Sequence, residues 1–292
     1  MTPAPGPVRR WVLAARPRTL PAAAVPVVLG VALVRPAPVD WVNGLLCLAV
    51  ALALQVGTNL ANDYSDGVRG TDATRVGPFR LTASGLVAAA RVRDAAWLTF
   101  ALAGAAGLVL ASRTSWWLVV IGASAVAAGW LYTGGPRPYG YLGLGEVFVF
   151  IYFGLVATVG TAYAQHGSTP ARAWWLGAAA GAMACALLEA NNLRDVEGDR
   201  AARKRTLAAR VGRERAAWLY GLWVAVVAGA LVGAGELAAA LVAVVVYAPG
   251  LRLAFSPRQG RELVALLRDS ARAQLALGGV VAVLLATATY WG

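Results

Sequence analysis

Two short stretches hold six of the fourteen acidic residues of this 292-residue chain, and both combine them with asparagine. The first reads Asn59-Leu60-Ala61-Asn62-Asp63-Tyr64-Ser65-Asp66 and runs on through Arg69 and Gly70 to Asp72. The second reads Asn191-Asn192-Leu193-Arg194-Asp195-Val196-Glu197-Gly198-Asp199. If each continues the preceding apolar run as helix, the i, i+4 spacing puts Asn62 and Asp66 on one face, and Asn191, Asp195 and Asp199 likewise. Carboxylate and amide oxygens, in a chain with a single histidine, suit a hard cation such as Mg²⁺ and fit zinc or copper poorly. Mg²⁺ takes one or two protein carboxylates and completes its shell with water and phosphate oxygens. Two clusters facing each other therefore predict a diphosphate between them. The plain alternative is that the aspartates solvate loop ends. Carboxylates at a helix C-terminus oppose the helix dipole at up to about 1 kcal/mol each, which favours a bound cation. Arg75, Arg80, Arg137, Arg194, Lys204 and Arg205 lie in the same loops, and such side chains pair with phosphate oxygens. Loop basicity has its own origin in membrane proteins, so only the group carries weight. Glu189, three residues before Asn192, either lines the same space or packs in neutral form.

The elements that must position these clusters are membrane spans. Hydrophobic residues make up 59% of the chain and charged ones 14%, more apolar surface than one soluble core needs to bury. A spanning helix needs about 20 mostly apolar residues, because its backbone polar groups must be satisfied internally. Nine such windows are centred near Val28, Val50, Ala103, Ile121, Phe153, Ala180, Ala225, Val244 and Val283. The expected fold is therefore all-α and integral to the membrane, with nine transmembrane helices. The first run, Thr19 to Val34, follows a basic start as a secretory leader would, but Pro21 and Pro26 suit a span packed against neighbours. Of the 26 Lys and Arg residues, only Arg35, Arg113 and Arg172 fall in the loops of one side. The rest, including Arg9, Arg10, Arg16 and Arg18, mark the other side as cytoplasmic, which predicts the N-terminus inside and the C-terminus outside. A net charge of +12 raises nucleic acid as a partner. The arginines sit in short loops between apolar runs rather than on one amphipathic surface, which excludes it. Cys47 and Cys185 fall inside apolar runs and read as packing residues. The second and sixth spans both end in an acidic cluster. This weak repeat predicts one domain over residues 1–292, built of helices 1–4 and 5–8 plus a ninth, with a shared central site.

Four stretches then resemble the UbiA superfamily of membrane prenyltransferases, most closely its 1,4-dihydroxy-2-naphthoate branch. They are Arg16-Pro17-Arg18-Thr19-Leu20-Pro21, Gly57 to Asp72, Tyr132-Thr133-Gly134-Gly135-Pro136-Arg137-Pro138-Tyr139-Gly140-Tyr141 on to Glu146, and Asn191 to Leu207. Gly77-Pro78-Phe79-Arg80-Leu81 points to the same branch. The likeness spans nearly the whole chain, with one departure: the superfamily's first motif often carries an aspartate where Gly70 stands, and the next here is Asp72. The resemblance implies a central cavity, capped by the cytoplasmic loops and open sideways to lipid. It implies transfer of a polyprenyl group from polyprenyl diphosphate to 1,4-dihydroxy-2-naphthoate with loss of CO₂, giving demethylmenaquinone. Two Mg²⁺ ions would bridge the diphosphate, with ligands among Asn62, Asp66, Asp72, Asn192, Asp195 and Asp199. Arg75, Arg80, Arg137, Arg194, Lys204 and Arg205 would pair with the diphosphate, and Asn59 and Asn191 would add polar contacts. Tyr132 and Tyr139 would face the allylic cation, unless they serve as interfacial anchors. Arg16 or Arg18 would hold the acceptor's carboxylate, and Asp63 would act as a base or in support of Asn62. The setting implied is a bacterial plasma membrane.

Other aromatic acceptors, homogentisate or 4-hydroxybenzoate among them, are compatible with the same residues. A transporter using the clusters as coupling-ion sites is disfavoured, since such sites lie near the bilayer midplane and these lie at loop junctions. A phosphatidyltransferase would carry one long aspartate signature, whereas two short motifs on separate helices stand here.

Overall fold

The computed structural model describes residues 5–34, 37–71 and 79–287, and these contain helices and no strands. Helix α1 (Pro7–Ala14) begins with proline at its first turn, and so does α2 (Pro21–Ala32), where the missing N–H is no loss. The long α3 (Trp41–Val68) is capped by Asp40, whose carboxylate accepts from the Asn43 amide at 3.0 Å. Then come α4 (Ala89–Arg113), α5 (Trp117–Leu131), α6 (Gly145–His166) and α7 (Ala171–Ala201). Helices α8 (Arg213–Gly233), α9 (Leu237–Ala254) and α10 (Gly260–Thr287) complete the bundle.

Seven of these helices are long and apolar enough to cross a membrane, and the α1–α2 pair makes an eighth if taken as one broken span, bent by 54°. Helix α5 is apolar but has only 15 residues, about 22 Å of helix against a hydrocarbon core of about 30 Å. Of the nine spans expected, seven or eight are shown by length and composition, and the ninth window is the shorter apolar helix α5. The chain is a multi-span membrane protein.

Helix α7 is the central pillar: 78% of its most apolar window is buried, against 28–44% for the other spans. Its alanines and glycines let neighbours approach closely, the usual basis of helix packing in lipid. A Cβ on Gly154 of α6 would lie 2.5 Å from the carbonyl oxygen of Gly177 and from the Cα of Gly181, both on α7, so no side chain fits there. At 28 and 31 residues, α3 and α7 measure about 42 and 46 Å, well beyond the bilayer core of about 30 Å. Their surplus turns at the C-terminal ends carry the acidic clusters. Between the helices lies a cavity of about 1750 Å³, mostly apolar, bounded among others by α3, α4, α5 and α6.

Candidate active site

The polar end of the cavity is built first from α3. Gln55, Asn59, Asn62 and Asp66 all face it, and three- and four-residue steps keep them on one side of the helix. Asn59 donates to the Ala15 carbonyl at 3.0 Å and to Thr19 at 3.1 Å, and Gln55 donates to Thr19 at 3.1 Å. These bonds tie the bend between α1 and α2 to the cavity wall. At that bend Arg16 adopts a left-handed backbone, φ 53°, and lines the cavity together with Arg18. Such backbone costs about 1–2 kcal/mol for a residue with a Cβ and clusters at functional sites.

Asp66 is the hub. Tyr141 donates to one carboxylate oxygen at 2.6 Å, Lys204 to the other at 2.9 Å, and an Arg80 nitrogen lies 3.8 Å away. The Asp66 and Lys204 side chains are only 3% and 6% exposed, so each charge depends on the other for compensation. Lys204 also sits 4.9 Å above the Tyr141 ring. Burial, with the Asp66 charge alongside, raises the Tyr141 hydroxyl above its ordinary range, which keeps it a donor. Asn62 accepts from Thr133 at 2.8 Å. From α7, Asn191, Asn192, Arg194 and Asp199 reach the same cavity, as do Tyr132 and Tyr139, whose rings meet edge to face at 5.4 Å.

Several expected residues fall elsewhere. Asp195 is not on the cavity wall, because Arg194 grips both its oxygens at 2.7 Å. Arg194 also holds Asn191 at 2.7 Å. Asn192 lines the cavity while its amide nitrogen donates to Glu146 at 3.0 Å. Arg137 and Arg205 are exposed and off the cavity wall, since the turns that carry them point their long side chains to water. Asp72 and Arg75 lie outside the described residues. Glu189 is fully buried and also off the wall, its carboxylate without a hydrogen bond among the described residues. Cys47 and Cys185 are free and buried.

Asp63 does not face the cavity either. Its carboxylate accepts from the backbone N–H groups of Leu81 at 2.8 Å and Thr82 at 2.9 Å, so neither oxygen is placed to serve as a base. This clamp sets the strap that presents Arg80. Asp63→Ala is expected to cost about 2–3 kcal/mol, the loss of two bonds to a charged acceptor. Because Arg80 lines the cavity, the change should raise KM more than it lowers kcat. Thermal unfolding and a KM-against-kcat split check this; a kcat collapse with unchanged stability would contradict it.

Residues unassigned from the sequence complete the site. They are Tyr141, Thr133, Gln55 and Thr19, with Thr206, which donates to Asp199 at 3.2 Å. Arg203 is the second residue beside the site with left-handed backbone, φ 57°. It ends α7, and its turn lets the Lys204 amide bond back to the Asp199 carbonyl at 2.8 Å, which aims Lys204 at Asp66. Among the described residues no three His, Cys, Asp or Glu side chains converge closely enough to hold a metal alone. The hard oxygens that line the cavity come from Asn62 and Asp66 on α3 and from Asp199 on α7, with Arg80, Arg194 and Lys204 lining it as well. That donor set fits Mg²⁺ completed by phosphate oxygens and nothing softer.

Residues 23–262 match the model of the UbiA prenyltransferase family. The chain belongs to this family. It is 47% identical over 287 residues to the 1,4-dihydroxy-2-naphthoate octaprenyltransferase of Mycobacterium tuberculosis, covering 95% of this chain and 97% of that one. To the protein of the same name from Escherichia coli it is 37% identical over 221 residues, 70% of each chain. Among solved structures, a UbiA homolog from Archaeoglobus fulgidus bound to GPP and Mg²⁺ superposes with a TM-score of 0.67. That match covers 94% of this chain and 99% of the other at 13% identity, and it establishes the shared fold. As a UbiA prenyltransferase, the chain carries its two acidic motifs on α3 and α7, at one end of a common cavity.

Proposed function

We propose that this prenyltransferase moves a polyprenyl group from polyprenyl diphosphate onto 1,4-dihydroxy-2-naphthoate with loss of CO₂, yielding demethylmenaquinone in its quinol form. The observation that carries the reading is the juxtaposition of Asp66, Lys204 and Asp199 at the polar end of one deep apolar cavity. The identity of relatives bearing that activity supports it. The diphosphate lies between α3 and α7, with Arg80, Arg194 and Lys204 around it, and the isoprenoid chain occupies the apolar hollow. Asn62, Asp66 and Asp199 would hold Mg²⁺ directly, with Asn192 beside them and Asp195 held in reserve by Arg194. When bound, two Mg²⁺ ions supply neutralisation of the charge that grows on the leaving diphosphate.

The allylic C–O bond breaks, its electron pair leaving with the diphosphate, while the apolar wall keeps water from the carbocation. Tyr132 and Tyr139 offer it aromatic faces. The carboxyl-bearing carbon of the acceptor forms the new C–C bond as its neighbouring hydroxyl gives up a proton. The C–CO₂ bond then breaks, its electrons restore the ring, and the oxygen regains a proton. Arg16 and Arg18 hold the acceptor's carboxylate, with Gln55 and Asn59 fixing the bend on which they sit. In the same reading the α1–α2 pair and α5 count as full spans, giving nine helices in two four-span halves plus a ninth, within one domain. The N-terminus and the polar end of the cavity then face the cytoplasm of a bacterial plasma membrane, because the basic loops collect there.

Purified protein given 1,4-dihydroxy-2-naphthoate, homogentisate or 4-hydroxybenzoate, each with a series of prenyl diphosphates, is expected to yield product with the naphthoate only. That product should weigh one CO₂ less than the simple adduct. Turnover with another acceptor and none with the naphthoate would overturn the reading.

A further inference from the structure

A second, smaller cleft adjoins the polar end of the cavity. It measures about 380 Å³ and is lined by Arg200, Lys204, Arg205, Ala209 and Arg210. Lys204 lines this cleft and the main cavity alike, so this one buried residue belongs to the walls of both. We propose that this cleft is a second anion site, which receives the inorganic diphosphate as it leaves the reaction cavity.

The cleft is arranged rather than merely basic. Arg200 donates to the Ala209 carbonyl at 2.9 Å, and Arg210 donates to the carbonyls of Arg205 at 3.0 Å and Leu142 at 2.9 Å. These bonds fix two guanidinium groups by one edge each and leave other N–H groups for a ligand, and a fork held in place loses little entropy when it pairs with phosphate. The Arg205 guanidinium makes no hydrogen bond among the described residues and is exposed, open to a ligand. Among the described residues the one ion pair of the cleft's arginines is that of Arg200 with Glu197, at 3.4 Å and with the Glu197 side chain 77% exposed, a solvent-screened pair of small effect. The positive-inside tendency accounts for arginines on this side of the protein. It does not account for three of them around a concavity that shares its wall with the reaction cavity.

The chemistry of the reaction calls for such a route. Each turnover leaves a dense anion at the head of an apolar hollow, and passage back through that hollow would mean shedding its hydration. Lys204 already touches Asp66 on the cavity side, so a swing of this one side chain passes the diphosphate from the cavity to the three arginines. The same phosphate chemistry would attract a lipid headgroup. The wall shared with the reaction cavity favours the free anion.

The inference rests on the reading of the cavity end as the prenyl diphosphate site, and the test keeps the two apart. The full chain in detergent micelles is saturated with a non-cleavable prenyl thiolodiphosphate and Mg²⁺, and binding of labelled inorganic diphosphate is then measured. One further diphosphate per chain is expected. R205Q should weaken it about tenfold or more, the loss of one charge-assisted contact, and R205K should retain it. No diphosphate bound beside the analogue, or equal binding by R205Q and the unaltered protein, would overturn the cleft while leaving the cavity reading intact. Failure of the analogue itself to bind would overturn both. A soluble short-chain phosphatidate that fills the cleft where diphosphate does not would mark a lipid headgroup site and end the exit role.

Discussion

Asp66→Asn is expected to lower prenyl transfer by at least 10²–10³-fold, the scale on which one preorganised electrostatic contact to a developing charge acts, with the protein still inserted. The carboxylate anchors Lys204 and Tyr141 at 2.9 and 2.6 Å and stands 3.8 Å from Arg80. In the proposed reading its loss removes a metal-binding oxygen and also releases the cations placed for the diphosphate. A stability effect must be separated from this. With Lys204 only 6% exposed, neutralising its partner strands a buried charge, at about 3–5 kcal/mol. Replacing both members of a buried pair is often neutral, so Asp66→Asn combined with Lys204→Met should regain thermal stability without regaining activity. Recovery of turnover in that double variant would show that Asp66 serves only to compensate Lys204.

The second large effect is that of withdrawing the metal. In the proposed reaction, chelator is expected to abolish turnover and Mg²⁺ to restore it, since a divalent ion offers the leaving diphosphate a denser positive charge than a guanidinium or ammonium group does. The protein's thermal stability should hardly move, in contrast to structural metal sites, where metal binding is folding energy. That asymmetry follows from the donors: among the described residues no trio of carboxylates, His or Cys encloses an ion. The ion must arrive with the diphosphate or be completed by it. Turnover that survives chelation would point to Lys204, Arg80 and Arg194 as sufficient, and would remove the metal from the reaction.

Much of this was legible in the residues themselves, and the gaps have physical causes. Apolar runs of span length announce themselves through composition, and an asparagine and an aspartate four apart on a helix must share a face, as Asn62 and Asp66 do. The same argument places Asp195 in register with Asn191 and Asp199, but periodicity fixes where a Cα lies and not which neighbour captures the side chain; Arg194 reaches it from the adjacent position. Asp63 shows the complementary case. Its off-face position was evident, but the backbone amides that occupy it belong to a strap nearly twenty residues away in sequence. Arg137 and Arg205 share the composition of Arg80 and Lys204, yet only the latter two enter the cavity. The difference lies in the Asp63 clamp and in the left-handed turn at Arg203, where the sequence offers no glycine as a signal. Tyr141 stood in a quoted motif without a role, since its reach to Asp66 depends on how two loops fold together. The short α5 reads as a full span by hydropathy alone. Its end, where Gly134 packs a bare Cα against the Trp130 carbonyl, is set by the loop geometry that follows.

The claim beneath all of this is that α3 and α7 grip one diphosphate together. Binding of the non-cleavable prenyl thiolodiphosphate, with and without Mg²⁺, to the unaltered protein, Asp66→Asn, Asp199→Asn and the double variant tests it most directly. The account expects Mg²⁺-dependent binding that either single change weakens about a hundredfold, with the double variant far short of the sum, because two groups sharing one ligand are coupled. Tight binding by Asp199→Asn in the presence of Mg²⁺, or effects of the two changes that simply add, would mean that the two helices do not hold the same diphosphate.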